Sequence, residues 1–224
     1  MQLKKINWKI IIACAILFIL VLLISIKAKA MESLKKNIDP SSFYKKIRTN
    51  LFKTLSQSQV DGLNNILSHW TTNYANQDKR FLAYILATVY HETAKTMQPI
   101  EEFGKGNGRA YGGKVKMNGK KYTTPNQLYY GRGYVQITWY ENYEKFGKIL
   151  NINLLENPNL ALNKSIATSI LFIGMFEGLF TGKKLSDYFN LIKNDYVNAR
   201  RIVNGTDKAN LIAGYATEFF KSLN

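Results

Sequence analysis

Apolar residues recur at helical spacing in two stretches, with Phe43, Ile47, Leu51 and Leu55 in 42–55 and Val60, Leu63, Ile66, Leu67 and Trp70 in 58–70. Steps of three and four put such residues on one face, so the pattern predicts two amphipathic helices. Residues 80–93 read differently. Phe81, Leu82, Tyr84, Ile85, Leu86, Val89 and Tyr90 leave too little polar surface for a helix that faces water, which predicts a buried central helix. The pattern then breaks. Between 103 and 130, Gly104, Gly106, Gly108, Gly112, Gly113 and Gly119 are spread among basic and tyrosine residues, which predicts a long loop with a small hairpin at Asn118-Gly119. Helical spacing returns at 140–150, 165–180, 185–188, 196–203 and 209–223. The expected fold is mainly α without internal repeats, and Gly174 and Gly178, four apart, read as a place of close helix packing.

One apolar run lies outside this pattern. Residues 10–26 are almost wholly apolar and are flanked by Lys4, Lys5, Lys9, Lys27 and Lys29. The run exceeds a usual signal-peptide core and falls just short of the ~20 residues that span a bilayer comfortably. Ala28-Lys29-Ala30 resembles a cleavage site. Two readings stand, a cleaved signal peptide and a retained signal anchor, and both carry the domain across a membrane. The organisation expected is a leader over 1–30, a polar linker over 31–40 that ends at Asp39-Pro40, and one folded domain over 41–224. Membrane contact is expected only through 10–26. The domain is then secreted or periplasmic, or anchored on the far side of the membrane.

Charge narrows the partners. The 224 residues carry 31 Lys and Arg against 15 Asp and Glu, a formal +16. The leader holds five of those lysines and no acid, so the remainder stays strongly basic. Such a domain is drawn to polyanions, which include nucleic acid, acidic membrane surfaces and anionic cell-wall polymer. Nucleic acid is disfavoured because the lysines are scattered and no recognised binding motif occurs. The one cysteine, Cys14, lies in the leader, so the folded part relies on packing and has no disulfide.

With two histidines, His69 and His91, and no cysteine in the domain, most metal and nucleophile schemes lack their parts. His91-Glu92 opens like a zinc-protease motif, but Lys95 stands where the second histidine belongs. Gly104, Gly106 and Gly108 fit neither the dinucleotide nor the P-loop spacing. No metal or cofactor is expected. Carboxylates remain: Glu92 at the end of an apolar helix, and Glu101 and Glu102 beyond Pro99. Glycoside hydrolysis needs two such groups in unlike surroundings. An apolar pocket at a helix C-terminus would keep Glu92 protonated as the general acid, whereas a solvated basic loop suits an ionised Glu102. Tyr111, Tyr129, Tyr130, Trp139 and Tyr143 are candidates for stacking on sugar faces, with core packing as the competing reading.

Several ordered blocks carry a resemblance. They are His91-Glu92-Thr93, Glu102-Phe103-Gly104, the run from Tyr130 through Gly131, Arg132, Gly133, Gln136 and Thr138 to Trp139, then Glu141-Asn142-Tyr143, Asn157-Pro158-Asn159-Leu160, 174–184 and Arg201-Ile202-Val203-Asn204-Gly205. In these the chain resembles family 19 glycoside hydrolases, the chitinases and related phage or bacterial endolysins, over nearly all of 41–224. The resemblance implies a lysozyme-like helical domain with a substrate cleft and hydrolysis with inversion. It implies Glu92 as general acid, Glu102 as general base and Thr138 as a hydroxyl that holds the attacking water. Gln136, Asn142 and Asn204 are implied as contacts to the N-acetyl sugar, with His91, Tyr130, Arg132 and Trp139 counted among the sugar-binding residues. Glu101 is then a neighbour and Glu177 a structural acid. An inverting pair should hold its carboxyls roughly 6.5 to 9.5 Å apart. Two departures stand out: the segment between the glutamates is short and lacks cysteine, which implies a shorter, more open cleft, and 211–220 lacks the arginine many chitinases carry near their last helix.

The substrate expected is a polysaccharide, chitin or peptidoglycan glycan, cut by a monomer in cell-wall or chitin breakdown. The net charge leans towards the anionic wall. A non-catalytic cationic wall-binding or membrane-disrupting protein and a lytic transglycosylase are the competing functions.

Overall fold

The computed structural model describes residues 14–25 and 38–224. Residues 14–25 form helix α1, exposed along its length. The ends of the apolar run at 10–13 and 26, and the linker at 31–37, lie outside the described residues. Among the described residues no helix is long and apolar enough to cross a membrane.

Helix α2 (Pro40–Ile47) begins where the sequence suggested a linker would end. The Asp39 carboxylate accepts hydrogen bonds from the Ser41 and Ser42 amides at 3.1 and 3.3 Å, and Pro40 occupies the first turn. Asp39-Pro40 is therefore a helix start. The helix expected over 42–55 is interrupted: α2 ends at Ile47, a π turn (Arg48–Phe52) follows, and Lys53 turns left-handed at φ 58°. The freed Leu51 carbonyl accepts the Tyr90 hydroxyl at 2.9 Å, a distant partner that periodicity cannot reveal.

Helix α3 (Gln57–Asn73) starts with a reciprocal capping box between Ser56 and Gln59. Helix α4 (Lys79–Glu92) is the buried centre that its composition predicts, with every residue from Lys79 to Tyr90 buried. Three charges at its start are satisfied internally. Arg80 pairs with Asp78 at 2.5 Å and donates to the Lys193 and Asn190 carbonyls, while Lys79 donates to the Leu223 carbonyl at 2.7 Å. These bonds tie the start of α4 to the end of α7 (Ala209–Leu223), and the two helices pack along each other.

Helix α5 (Tyr140–Leu150) follows the predicted span. Helix α6 (Lys164–Glu177) stops at Gly178, whose φ is 70°, and the chain folds back so that the Phe180 ring lies on Gly174. A Cβ at 174 would sit 2.1 Å from that ring. The glycine pair thus serves a helix cap and the return of its own chain, which corrects the expectation of helix-on-helix packing. The helices expected at 185–188 and 196–203 are single 3-10 turns, Leu185–Asp187 and Asn198–Ile202.

Sheet is minimal. Strand β1 (Ile100–Glu101) pairs antiparallel with β2 (Arg132–Gly133), Ile100 opposite Gly133 and Glu101 opposite Arg132. Within the long loop, the expected hairpin forms at Asn118-Gly119 and is closed by a Val115–Lys121 bridge. One core runs from Phe43 to Leu223 and draws on α2 to α7. The mainly α architecture is as expected.

Gly62 of α3 lies against the backbone that leads to β1: a Cβ there would stand 1.8 Å from the Met97 carbonyl oxygen. Gly62→Ala should lower unfolding free energy in urea titrations by about 1–3 kcal/mol or more. Gly214→Ala, on the exposed side of α7 with nothing within 4 Å, should instead raise it by roughly 0.5–1 kcal/mol through helix propensity.

Candidate active site

Glu92 is the last residue of α4, its side chain 18 % exposed, and its Oε1 meets Nη1 of Arg200 at 2.5 Å. Arg200 is 3 % exposed and stands on the 3-10 turn Asn198–Ile202. Its Nε donates to the Asp207 carbonyl at 3.1 Å, and its own carbonyl accepts the Asn204 amide at 3.0 Å. The surroundings of Glu92 are therefore not the purely apolar ones expected: a guanidinium from 108 residues away sets the carboxyl's direction. Arg200 is also a cation near the last helix, standing before α7 rather than within 211–220. His91, half-buried on the same helical turn, lines a pocket of about 280 Å³ with Tyr90, Ala94, Lys95 and Tyr215.

Beyond Glu92 the chain reverses through three left-handed residues, Ala94, Lys95 and Met97, with φ of 48°, 69° and 57°. The Thr93 hydroxyl holds the reversal, donating to the Val89 carbonyl at 2.7 Å and accepting the Met97 amide at 3.1 Å. Met97 is pinned on Gly62, and β1 begins three residues later.

Glu102 directly follows β1 and is held on three sides. Its amide donates to the Gly131 carbonyl at 2.7 Å, its Oε2 accepts the Gly131 amide at 2.9 Å, and its Oε1 accepts the Tyr111 hydroxyl at 2.7 Å. Burial, and then the bond to Glu102, pushes the Tyr111 pKa up, so this hydroxyl keeps its proton and remains a donor. Tyr111 meets Trp139 edge to face at 5.3 Å. Gly131 is small of necessity, since a Cβ there would lie 2.8 Å from Gln136 Oε1 and 3.3 Å from the Glu102 Cβ.

Gln136, at φ 51°, turns its amide nitrogen onto the Ile100 and Gly133 carbonyls at 2.9 and 3.0 Å. Thr138 donates its hydroxyl to the Gln136 carbonyl at 3.0 Å, and its own carbonyl accepts Asn142 Nδ2 at 2.7 Å. Asn142 Oδ1 accepts Lys145 Nζ at 3.3 Å. Gln136, Thr138, Trp139 and Asn142 are thus gathered around the Glu102 mount, all half-buried. Asn204 belongs with Glu92 and Arg200 and is exposed.

Tyr130 and Arg132 lie beneath this surface. The buried Tyr130 donates its hydroxyl to Glu101 Oε1 at 2.7 Å. Arg132, 4 % exposed, gives its donors to Asn159 Oδ1, the Leu128 carbonyl and the Tyr143 hydroxyl at 3.0 Å each, with its guanidinium 3.6 Å over the Tyr130 ring. Both support β2 from the inside. Tyr129 and Tyr143 are wholly buried, so of the tyrosines proposed for stacking these are core. Glu101 is more than a bystander: the Tyr130 hydroxyl, then Lys105 and Arg132, hold its pKa below the ordinary glutamate value. A concavity of about 450 Å³ between α5 and 151–155 contains neither Glu92 nor Glu102.

Arg200 and the positioning role of Tyr111 escaped the sequence reading. Arg200 carried only a weak signal, a cation between Ala199 and Ile202 beside the Arg201–Gly205 block.

Arg200→Ala leaves a partly hydrated carboxylate without its partner and should cost roughly 1–3 kcal/mol in denaturant titration. A double-mutant cycle with Glu92→Gln should show that most of this loss is shared between the two changes. For Glu101 the depressed pKa means that its contribution is complete above the ordinary glutamate range and is lost as pH falls through the lowered value. Tyr130→Phe removes the first cause, so its stability deficit should be present near neutrality and shrink as pH falls through and below the ordinary glutamate range.

Residues 52–176 match the model of glycoside hydrolase family 19, described as chitinase class I. Among curated relatives, a basic endochitinase CHB4 of Brassica napus is 38% identical over 90 residues, covering 39% of this chain and 32% of that protein. An endochitinase of Carica papaya is 50% identical over 36 residues, 16% of this chain and 15% of that protein. The chain thus spans a third or less of the length of these relatives. Among solved structures, chitinase C from Streptomyces griseus HUT6037 aligns at a TM-score of 0.58 and 25% identity, over 83% of this chain and 76% of that one. A bacterial family 19 chitinase aligns at 0.51 and 21% identity, over 84% and 95%, a likeness of fold. With more than half of its length matched by the family model, the chain belongs to glycoside hydrolase family 19.

Proposed function

We propose that this protein hydrolyses β-1,4 linkages in N-acetylated amino-sugar polymers, chitin or peptidoglycan glycan, by single displacement with inversion. The observation that carries the reading is the pair of separately anchored carboxyls, Glu92 fixed by Arg200 and Glu102 fixed by Tyr111 and Gly131, within a family 19 chain. Glu92 gives its proton to the glycosidic oxygen as the bond from that oxygen to the anomeric carbon breaks. Glu102 takes a proton from the water whose oxygen bonds to the opposite face of that carbon, with the Thr138 hydroxyl helping to hold the water. Arg200 remains beside the carboxylate that Glu92 becomes, and the two protons re-equilibrate with solvent to complete the cycle.

Chitin is supported by the names of the relatives, which are endochitinases. The anionic bacterial wall is supported by the +16 charge and by the apolar run 10–26, which suits export or anchoring. In either case the partner is a polysaccharide, and the enzyme works alone.

Mass spectrometry of products from N-acetylglucosamine oligomers and from purified peptidoglycan tests the reading. Hydrated reducing ends are expected, α-configured when first released as read by NMR. Glu92→Gln and Glu102→Gln should each lower the rate by roughly 10²-fold to 10⁴-fold or more. Anhydro products with Glu102→Gln still active would identify a lytic transglycosylase, and wall lysis that survives Glu92→Gln would identify a non-catalytic, membrane-disrupting protein.

A further inference from the structure

Phe103, the residue after Glu102, is 103% exposed. Among the described residues only one other aromatic, Phe18 in the apolar leader helix, is exposed; every other tyrosine, tryptophan and phenylalanine is half-buried or buried. Among the described residues of the folded domain, 38–224, no other aromatic ring is left this exposed, and this one stands beside Glu102.

The backbone beneath that ring is firmly held. The Lys105 amide donates to the Glu102 carbonyl at 3.1 Å, and Gly104 has φ +83°, which makes 102–105 a tight turn with Phe103 and Gly104 at its two central positions. Glu102 anchors the start of the turn through its two bonds to Gly131 and one to Tyr111. Lys105 Nζ lies 3.3 Å from Glu101 Oε2 and anchors the end. A Cβ at Gly104 would meet nothing within 4 Å, so the turn stands clear of the surface. The result is a fixed mount with a free, flat apolar face.

A β-linked N-acetylglucosamine unit presents such a face in return. Its ring hydroxyls are equatorial, so its axial C–H bonds form an apolar surface that packs on the negative face of an aromatic ring. Of the other aromatic candidates nearby, Trp139 is half-buried and the tyrosines are committed elsewhere. Tyr129, Tyr130 and Tyr143 are buried, and Tyr111 spends its hydroxyl on Glu102 and its edge on Trp139.

We propose that Phe103 is a sugar-stacking platform, a binding subsite for the pyranose unit next to the linkage at which Glu102 acts. The proposal rests on the hydrolase reading given above. A shift in KM at constant kcat separates binding at this subsite from the chemistry.

The test uses the full chain on whichever of the N-acetylglucosamine hexamer and peptidoglycan glycan the wild type cuts. Phe103→Ala and Phe103→Leu should raise KM roughly 3-fold to 10-fold with kcat unchanged within 2-fold, and Phe103→Trp should restore KM. Their melting temperatures should match the wild type, because the ring touches nothing in the fold. An unchanged KM in Phe103→Ala, with Glu92→Gln inactive, overturns the platform and leaves the hydrolase reading intact. Activity that persists in Glu92→Gln overturns the hydrolase reading instead. If neither glycan is cut, co-sedimentation with insoluble chitin and with peptidoglycan decides the platform: Phe103→Ala must be retained less than the wild type, and equal retention overturns it.

Discussion

Two rungs of antiparallel pairing, Ile100 with Gly133 and Glu101 with Arg132, set the position of everything around Glu102. A ribbon this short has almost no stability of its own. It persists because side chains replace the missing strands. Gln136 bonds the Ile100 and Gly133 carbonyls, Arg132 fastens β2 to Asn159, Leu128 and Tyr143 from below, and Glu102 closes on Gly131 through both backbone and carboxylate. The glycines permit the closeness. At Gly131 a side chain would displace Gln136, and at Gly133, with φ +91°, a Cβ would lie 3.0 Å from the Ala161 carbonyl. The Gly-Arg-Gly block thus anchors Glu102 from beneath.

The other carboxyl depends on a different device. A helix buried from Lys79 to Tyr90 must satisfy its ends internally, and α4 does so with charge at both. At its start Arg80 binds Asp78 and the loop near 190–193, while Lys79 binds the end of α7. At its finish Arg200 meets Glu92. Buried ion pairs are poor sources of net stability, since desolvation consumes most of the attraction. What they supply here is direction: the helix cannot slide or rotate without stranding a charge. The register of α4, and with it the aim of Glu92, is thereby fixed from both ends.

Much of this was legible in the sequence, and the failures share a cause. The buried character of α4, the span of α5 and the Asn118-Gly119 hairpin follow from local patterns, apolar density in one case and turn chemistry in the other. The break after Ile47 did not, because it depends on the Leu51 carbonyl reaching Tyr90. Gly174 and Gly178 gave a helix-packing signature, yet they answer to Phe180 and to a left-handed cap a few residues on. At the site, the residues gathered near Glu102 were named from their blocks. What those blocks could not convey was which side chains face outwards: Tyr130 and Arg132 are buried. Arg200 was missed because its value comes from a partner 108 residues away.

The loop over 103–130 joins these themes. It is irregular and rich in glycine, and composition alone would suggest a mobile flap. Its stations say otherwise. Gly112 admits the Gly106 carbonyl so closely that a Cβ would stand 2.0 Å from it, Met117 donates to Glu141 at 3.0 Å, Lys116 sits 3.9 Å over the Tyr140 ring, and Tyr122 is buried against Tyr129 and Tyr140. From Phe103 to Tyr140 the chain contains no acid, while Lys105, Arg109, Lys114, Lys116, Lys120 and Lys121 all fall within it. A stretch so basic would repel itself if it were compact and unattached, so the contacts to α5 must offset that repulsion. The chain thereby keeps a cationic field beside Glu102 without a disulfide to brace it. Such a field reaches about one Debye length, ~10 Å at 0.1 M salt, and closer fit at the site rests on contacts that do not depend on charge.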